Sequence, residues 1–221
     1  MSWVERAADR SPTVQRSRSK SIKQAQQIVA AARRLIGEQG TRFTTQELVK
    51  EAGVAIQTFY RCFGGKDQLM LAVLEDMIAE GARGYEEAAR DLDDPVERLR
   101  LYLRLVLRTV AQKPGPNVQL VPGEHWRLYQ LYPEEVTQAT RPIVDLVQRE
   151  IEAARDRGQL DPTDPERDAW LITRLIMAEF HHYAFSEMDD PEAVLDHIWA
   201  FCLGALGGRR AGQPETGQPD A

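Results

Sequence analysis

Apolar residues recur at helical intervals along almost the whole chain. From about residue 21 to residue 39 they stand three and four positions apart, and Gly40 closes the segment. This spacing predicts an amphipathic helix with one buried face. The positions on that face are Ile28, Ala31, Ala32, Leu35 and Ile36. No segment has the alternating pattern of a strand, so the sequence predicts an all-α fold.

Two short helices around a tight turn follow this first helix. Thr44 or Thr45 can cap a helix that faces Leu48 inward, and Gly53 supplies the permissive backbone of a sharp turn. The second helix, residues 55–63, buries its two phenylalanines and exposes polar side chains. This arrangement is typical of a helix-turn-helix unit, whose second helix reads DNA in the major groove. An ordinary helical hairpin with a polar outer face is the alternative.

Every segment beyond Lys66 also has a helical pattern. The expected helices cover about residues 66–91, 123–132 and 134–157, and others begin at Pro95, Pro165 and Pro191. The last two are apolar on nearly all sides, which is typical of helices buried on more than one face. The predicted organisation is a flexible basic arm (1–20), a three-helix helix-turn-helix domain (21–66), a larger helical domain (67–208) and a disordered tail (209–221).

Charge is distributed unevenly between these regions. Residues 1–66 contain 12 Lys and Arg against 5 Asp and Glu, whereas residues 67–221 contain 16 against 29, within a net charge of −6. A basic N-terminal third on an acidic chain confines polyanion binding to that third. Residues 1–20 are interpreted as an arm that enters a minor groove or follows phosphates. A solvated terminus without a role is the alternative.

Many positions in the first third of the chain match a known pattern at fixed spacing. They are Ile28, Ala31, Ala32, Leu35, Glu38, Gly40, Thr44, Thr45, Ala52, Gly53, Val54, Thr58, Phe59, Tyr60, Phe63 and Lys66. At these positions the chain resembles the TetR family of bacterial transcriptional regulators. Ala55 departs from the pattern where a capping serine is common, and Cys62 departs where His or Tyr is common. Operator preferences of the family are therefore not carried over.

The resemblance implies a set of DNA contacts and a dimer. The expected contact residues are Thr45, Gln46, Gln57, Thr58, Tyr60, Arg61 and Lys66. The two glutamines and Arg61 are expected to read base edges, Thr58 to contact a phosphate or a base, and the others to contact phosphates. The last two helices are expected to form a four-helix bundle with those of a second subunit. Such a homodimer matches an inverted-repeat operator.

Aromatic side chains with polar neighbours mark the larger domain. By their spacing His125, Tyr129 and Tyr132 share a helical face, with Trp126 beside them. Aromatic residues with a few polar groups are the usual lining of a small-molecule pocket, although an aromatic stripe is more often plain core. In the context of the family, the expected ligand-binding residues are Tyr102, His125, Trp126, Tyr129, Tyr132, Trp170, Arg174, Met177, Phe180, His181 and Tyr183.

Other classes of function lack the residues that they need. The sequence has no GxSxG, Walker or GxGxxG motif, and five of its six serines lie in the first 21 residues, so neither an enzyme nor a cofactor is expected. The sequence contains no HExxH motif and no Cys/His ligand spacing, so no metal site is expected. Two distant cysteines, no long apolar run and no secretory signal favour a cytoplasmic protein.

These observations predict a ligand-responsive transcriptional regulator. In line with the resemblance, we expect a repressor that binds double-stranded DNA as a homodimer and is released by a small, largely apolar or aromatic effector. A helical protein-interaction module without DNA affinity is the alternative. A titration against genomic DNA fragments separates the two.

Overall fold

The computed structural model describes residues 11–111, 120–186 and 190–208. Within these ranges the chain is helical and contains no strand, which confirms the predicted all-α fold. None of the helices described is long and apolar enough to cross a membrane. In chain order they are α1 (Pro12–Gln39), α2 (Thr45–Ala52), α3 (Ile56–Cys62), α4 (Lys66–Ala88), α5 (Pro95–Ala111), α6 (Leu120–Leu131), α7 (Pro133–Asp156), α8 (Pro165–Phe185) and α9 (Pro191–Ala205), with a short 3-10 helix (Gly40–Arg42) after α1.

The chain divides into two compact units. The first contains the chain up to Met77 together with Glu124–Val136, and the second contains Ile78–Gly123 and the chain from Thr137 onward. The first unit thus extends past residue 66, where the sequence pattern set the boundary. Helix α4 contributes residues to both units.

Helix α1 is the centre of the first unit. Its Ile28, Ala31 and Ala32 have no exposed surface, and both α2 and α3 pack against it. Leu48 of α2 and Phe59 of α3 are buried as well, each with 1% of its surface exposed. The five positions that the spacing placed on the inner face of α1 are all buried, so the apolar pattern predicted this core correctly.

Helix α1 begins at Pro12, well before the start near residue 21 that the sequence pattern indicated. Proline suits a first helical turn, because its fixed φ is helical and its missing N–H has no partner there. Residues 12–20 are exposed, so no apolar spacing reveals them as helical. They prolong a helix that buried residues further along already stabilise. The rest of the predicted arm, residues 1–10, and the predicted tail, 209–221, lie outside the described residues.

Helices α5, α7, α8 and α9 build the core of the second unit. Its buried members are Leu99, Leu103, Leu107, Val144, Val147, Ile151, Ala154, Leu160, Ala169, Ile172, Ile176, Leu195, Ile198, Cys202, Leu203 and Leu206. Burial raises the pKa of Cys202 to about 11, so it remains a neutral thiol near pH 7. The inner faces of α8 and α9 thus contribute to the core of their own subunit.

Aspartate and proline together begin the last two helices. Asp164 precedes Pro165 and accepts a hydrogen bond from the N–H of Arg167 at 3.1 Å. Asp190 precedes Pro191 and accepts one from the N–H of Ala193, also at 3.1 Å. Each carboxylate satisfies one of the N–H groups that a helix start leaves without a partner. Both predicted helix starts are confirmed.

A buried carboxylate, Glu150 of α7, holds the start of α5. Arg98 donates to it through Nε at 2.8 Å, with Nη2 2.7 Å from the same carboxylate oxygen, and the hydroxyl of Tyr102 lies 3.3 Å from its second oxygen. Arg98 also donates to the carbonyl of Leu92 at 2.8 Å. Burial, then the charge of Glu150, raises the pKa of Tyr102 to about 12. Tyr102 was expected to bind a ligand, but the structure uses its hydroxyl in this network.

Removal of this carboxylate should destabilise the second unit. We expect Glu150→Ala to lower the free energy of unfolding by about 3 kcal/mol or more, because it leaves the charge of Arg98 without its buried partner. Glu86→Ala removes an exposed ion pair with Arg149 and should cost less than about 1 kcal/mol. Denaturant unfolding of both variants measures the difference. Equal losses would contradict a central role for Glu150.

Candidate nucleic-acid interface

Helix α2 begins with a reciprocal cap formed by Thr44 and Glu47. The hydroxyl of Thr44 accepts from the N–H of Glu47 at 3.2 Å, and the carboxylate of Glu47 accepts from the N–H of Thr44 at 2.7 Å. The N–H of Thr44, and then its hydroxyl, which donates to the same carboxylate at 2.8 Å, lower the pKa of Glu47 below its ordinary value. The cap fixes where the chain enters α2. Thr45 and Gln46 therefore occupy its first turn, half-buried and exposed respectively.

The turn between α2 and α3 requires a glycine. Gly53 has φ 65° and ψ 33°, a left-handed conformation that residues with a Cβ rarely adopt. The N–H of Val54 then bonds to the carbonyl of Val49 at 3.0 Å. Ala55 precedes α3 and provides no side-chain cap, as its departure from the family pattern predicted. The left-handed glycine and this backbone hydrogen bond shape the turn.

Helix α3 has one buried and one exposed side. Phe59 packs edge-on to Tyr60, with ring centroids 5.0 Å apart, and lies 6.1 Å from the ring of Phe63. Gln57 and Arg61 are exposed, and Tyr60 has 58% of its surface exposed. Thr58 is half-buried. The expected contact residues of this helix therefore occupy its accessible sides.

Arg61 is joined to α1. Its Nη2 donates to Oε1 of Gln24 at 2.6 Å. A guanidinium has five N–H donors in a planar fork, so this contact orients the group while other donors remain. The sequence did not reveal this role of Gln24, because the spacing of a polar residue outside the buried face of a helix does not indicate which distant residue it contacts.

Lys66, which was expected to contact a phosphate, also binds backbone carbonyls of its own chain. Its Nζ donates to the carbonyl of Thr41 at 2.5 Å and to that of Phe43 at 2.9 Å. The same atom lies 4.4 Å from the centre of the Phe43 ring. Lys66 therefore ties the start of α4 to the segment between α1 and α2. One of its three N–H bonds remains for another acceptor.

Ile56 is a further accessible residue that the sequence pattern did not single out. It opens α3 and has 38% of its surface exposed. An apolar side chain at this place in a reading helix can contact the methyl group of thymine. Spacing could not have indicated this accessibility, because a residue three positions before the buried Phe59 is expected on the same, inner side of the helix.

The expected ligand-binding residues fall in both units. In the first unit His125 is buried, whereas Trp126 and Tyr129 are exposed and stack with ring centroids 6.4 Å apart. Tyr132 is half-buried. The spacing placed His125 and Tyr129 on one helical face. Their burial differs, because the buried stripe of α6 follows His125 and Leu128.

The remaining expected ligand residues lie in the second unit, mostly on α8. Trp170, Met177 and His181 are half-buried, and the guanidinium of Arg174 lies 5.4 Å from the Trp170 ring centre. Burial lowers the pKa of His181, whose Nδ1 lies 2.6 Å from the carbonyl of Met177. The other two residues, Phe180 and Tyr183, are half-buried as well. The described residues include no group of three or more His, Cys, Asp or Glu side chains placed to hold a metal ion.

Known sequences match the first third of the chain. Residues 28–73 match the family model described as "Bacterial regulatory proteins, tetR family". The HTH-type transcriptional regulator BetI of Brucella canis is 34% identical over 74 residues, which are 33% of this chain and 37% of that protein. BetI of Rhizobium meliloti is 32% identical over 82 residues, 37% of this chain and 40% of that protein. The chain thus matches less than half the length of these relatives.

Solved structures resemble the chain over most of its length. RolR in complex with resorcinol has a TM-score of 0.68 at 19% identity, covering 86% of this chain and 91% of RolR. Thermus thermophilus FadR in complex with lauroyl-CoA has a TM-score of 0.66 at 21% identity, covering 86% and 98%. A TetR-family regulator from Pectobacterium atrosepticum has a TM-score of 0.69 at 22% identity, covering 87% and 99%. These likenesses establish the fold.

Proposed function

The chain belongs to the TetR family of bacterial regulatory proteins, and we propose that it is a ligand-responsive transcriptional repressor that binds an inverted-repeat operator as a homodimer. The exposed polar side of α3, presented by the capped α2 and the left-handed Gly53, carries this proposal. A role on DNA places the protein in the cytoplasm. A helical interaction module without DNA affinity would have no use for this exposed side or for the basic first third.

In this proposal α3 lies in the major groove. Gln57 and Arg61 read base edges from its exposed side, and Gln46 reaches a base from the first turn of α2. Tyr60, Thr45 and Lys66 bind phosphates, and Thr58 a phosphate or a base. The two carbonyl contacts of Lys66 support a fixed position for its ammonium, so that its remaining N–H can point at one phosphate.

Replacement of single DNA-facing residues should separate base reading from backbone binding. Arg61→Ala should reduce discrimination at one operator position by about 1 to 3 kcal/mol. Arg61→Lys keeps the charge but loses the planar fork, so it should lose discrimination and retain most of the sequence-independent affinity. Lys66→Ala should weaken all sequences alike and lower the salt slope by about 1.

Fluorescence anisotropy with an operator selected from genomic fragments, and with single base-pair variants of it, measures these effects. Unchanged binding by all three variants would remove α3 from the interface. Binding of no DNA by the wild-type protein would favour the interaction module.

The dimer is proposed to form through the outer faces of α8 and α9. Leu171 and Phe185 of α8 and Phe201 of α9 have 55%, 62% and 65% of their surface exposed. On another side of α9, Asp196 pairs with Arg100 of α5 at 2.7 Å, and Glu192 pairs with two further arginines of α5. Both helices pack against α5. Large exposed apolar side chains mark interaction surfaces, and a second copy gives the two-fold symmetry that an inverted repeat needs.

Charge on this face should separate the subunits without unfolding them. We expect Phe201→Arg and Leu171→Arg to yield folded monomers, because a dimer would bury an unpaired charge. Leu131→Arg places the same charge on a residue of the first unit that is 54% exposed and should leave the dimer intact. Leu203 and Leu206 do not serve this test, since they are buried within the subunit.

Sedimentation and far-UV circular dichroism measure mass and helicity together. If both variants of the α8 and α9 face remained dimers of native helicity, the interface would lie elsewhere.

The effector is proposed to be a small, largely apolar or aromatic molecule. Trp170, Met177 and Phe180 supply half-buried apolar surface on α8, and Arg174 and His181 supply polar groups beside it. The ligands named for two structural neighbours, resorcinol and lauroyl-CoA, support this class, because one is aromatic and the other carries a long acyl chain. Tyr102, His125, Trp126, Tyr129, Tyr132 and Tyr183 remain part of the proposed set.

Operator affinity should fall when the effector binds. A panel of simple phenols and acyl-CoA thioesters should contain a compound that weakens operator binding about 5- to 150-fold, the usual range of coupling between two sites. Arg174→Ala should reduce the response to that compound, whereas Arg167→Ala, an exposed change on the same helix, should not. If no compound of either class changed operator affinity, effector control by this class would be abandoned.

A further inference from the structure

The first half of α1 presents a basic face, and none of the DNA-contacting residues proposed above belongs to it. Arg16, Lys20, Lys23 and Gln27 follow one another at intervals of four, three and four residues, so they lie on one side of the helix. All four are exposed. Together with Ser19 and Gln24 they line a recess of about 490 Å³. We call these six residues the α1 stripe.

The charge of the α1 stripe is not balanced within the described part of the chain. The only carboxylate in α1 is Glu38, near its other end. No ion pair among the described residues involves Arg16, Lys20 or Lys23, although the chain forms many elsewhere. Cations left together on one side of a helix repel one another, so a polyanion that binds all three relieves this repulsion.

The α1 stripe is joined to α3 by a hydrogen bond. Gln24 accepts the hydrogen bond from Arg61 at 2.6 Å, and α3 packs against α1. DNA bound along the exposed side of α3 would therefore lie close to the α1 stripe. The amide nitrogen of Gln24 retains its two N–H donors, which suits a phosphate oxygen beside Arg61.

We propose that the α1 stripe is a second DNA-backbone surface, which binds the phosphates that flank the half-site read by α3. The inference rests on the proposed function and extends its contact area. From Arg16 to Gln27 the helix advances about 16 Å, which equals the rise of about five base pairs. Guanidinium, ammonium and amide donors bind phosphates without reading sequence, so the stripe adds affinity and footprint length.

Neutral replacement of the three cations tests the proposal. The combined variant Arg16→Gln, Lys20→Gln and Lys23→Gln should lower the salt slope of operator binding by about 2.7 for each subunit bound. Between 50 and 200 mM salt, wild-type affinity should therefore fall about fortyfold more per subunit than that of the variant. The matched control, Arg83→Gln with Arg90→Gln and Arg155→Gln, removes the same charge from exposed sites of the second unit and should leave the slope within about 0.5 of the wild-type value.

Duplex length gives a second measurement. Extending the operator by about five base pairs on each side should strengthen wild-type binding and leave the triple variant unaffected. Equal salt slopes for wild type and variant, or an equal benefit from longer DNA, would overturn the inference. Because the three side chains are exposed, helicity and melting temperature should not change; should the triple variant fail to fold, Lys20→Gln and Lys23→Gln are measured singly, each with an expected slope change of about 0.9. Wild-type protein that does not prefer the operator over random DNA would instead refute the proposed function.

Discussion

Burial of Phe59 determines which side of α3 is exposed to solvent. Helix α3 has only seven residues, and a helix of that length is not stable alone in water. Its geometry is therefore imposed by packing on α1 and by the left-handed Gly53, which sets the angle at which the chain enters. Loss of a buried phenylalanine ring costs about 3 to 5 kcal/mol, a large part of the stability of a small domain. The accessible positions of Ile56, Gln57 and Tyr60 depend on this one ring.

Helix α9 forms ion pairs on one side and packs into the apolar core of the second unit on another. Arginines of α5 engage Asp196 and Glu192, and hydrogen bonds from Arg108 and Arg104 lower the pKa of Glu192. These exposed pairs lie on one side of α9, whereas burial of its apolar side sets the rotation of the helix about its own axis. With that rotation fixed, Leu195, Ile198 and Cys202 face the core and Phe201 faces outward. A helix that looks uniformly apolar in sequence thus has two distinct apolar sides.

Sequence patterns predicted the features that depend on neighbours in the chain. Gly53, Asp164 and Asp190 act on backbone groups within a few residues, and Ile28 with its helical neighbours forms the expected core. Features that depend on distant partners were missed. The extension of α1 to Pro12 has no apolar spacing, the carbonyl partners of Lys66 lie more than 20 positions away, and the hydrogen bond from Tyr102 to Glu150 spans 48 positions. Spacing alone also could not decide that His125 turns inward while Tyr129 turns outward.

The contact between Arg98 and Glu150 also limits how this chain can evolve. Replacing either side chain alone leaves a charge in a site from which water is largely excluded, whereas exchanging both for apolar residues of similar volume can be neutral or stabilising. Two changes that are individually harmful and jointly harmless rarely arise together, because the intermediate sequence is selected against. Positions 98 and 150 should therefore vary as a pair among descendants of this sequence, and a lineage that once lost the pair would have little opportunity to regain it.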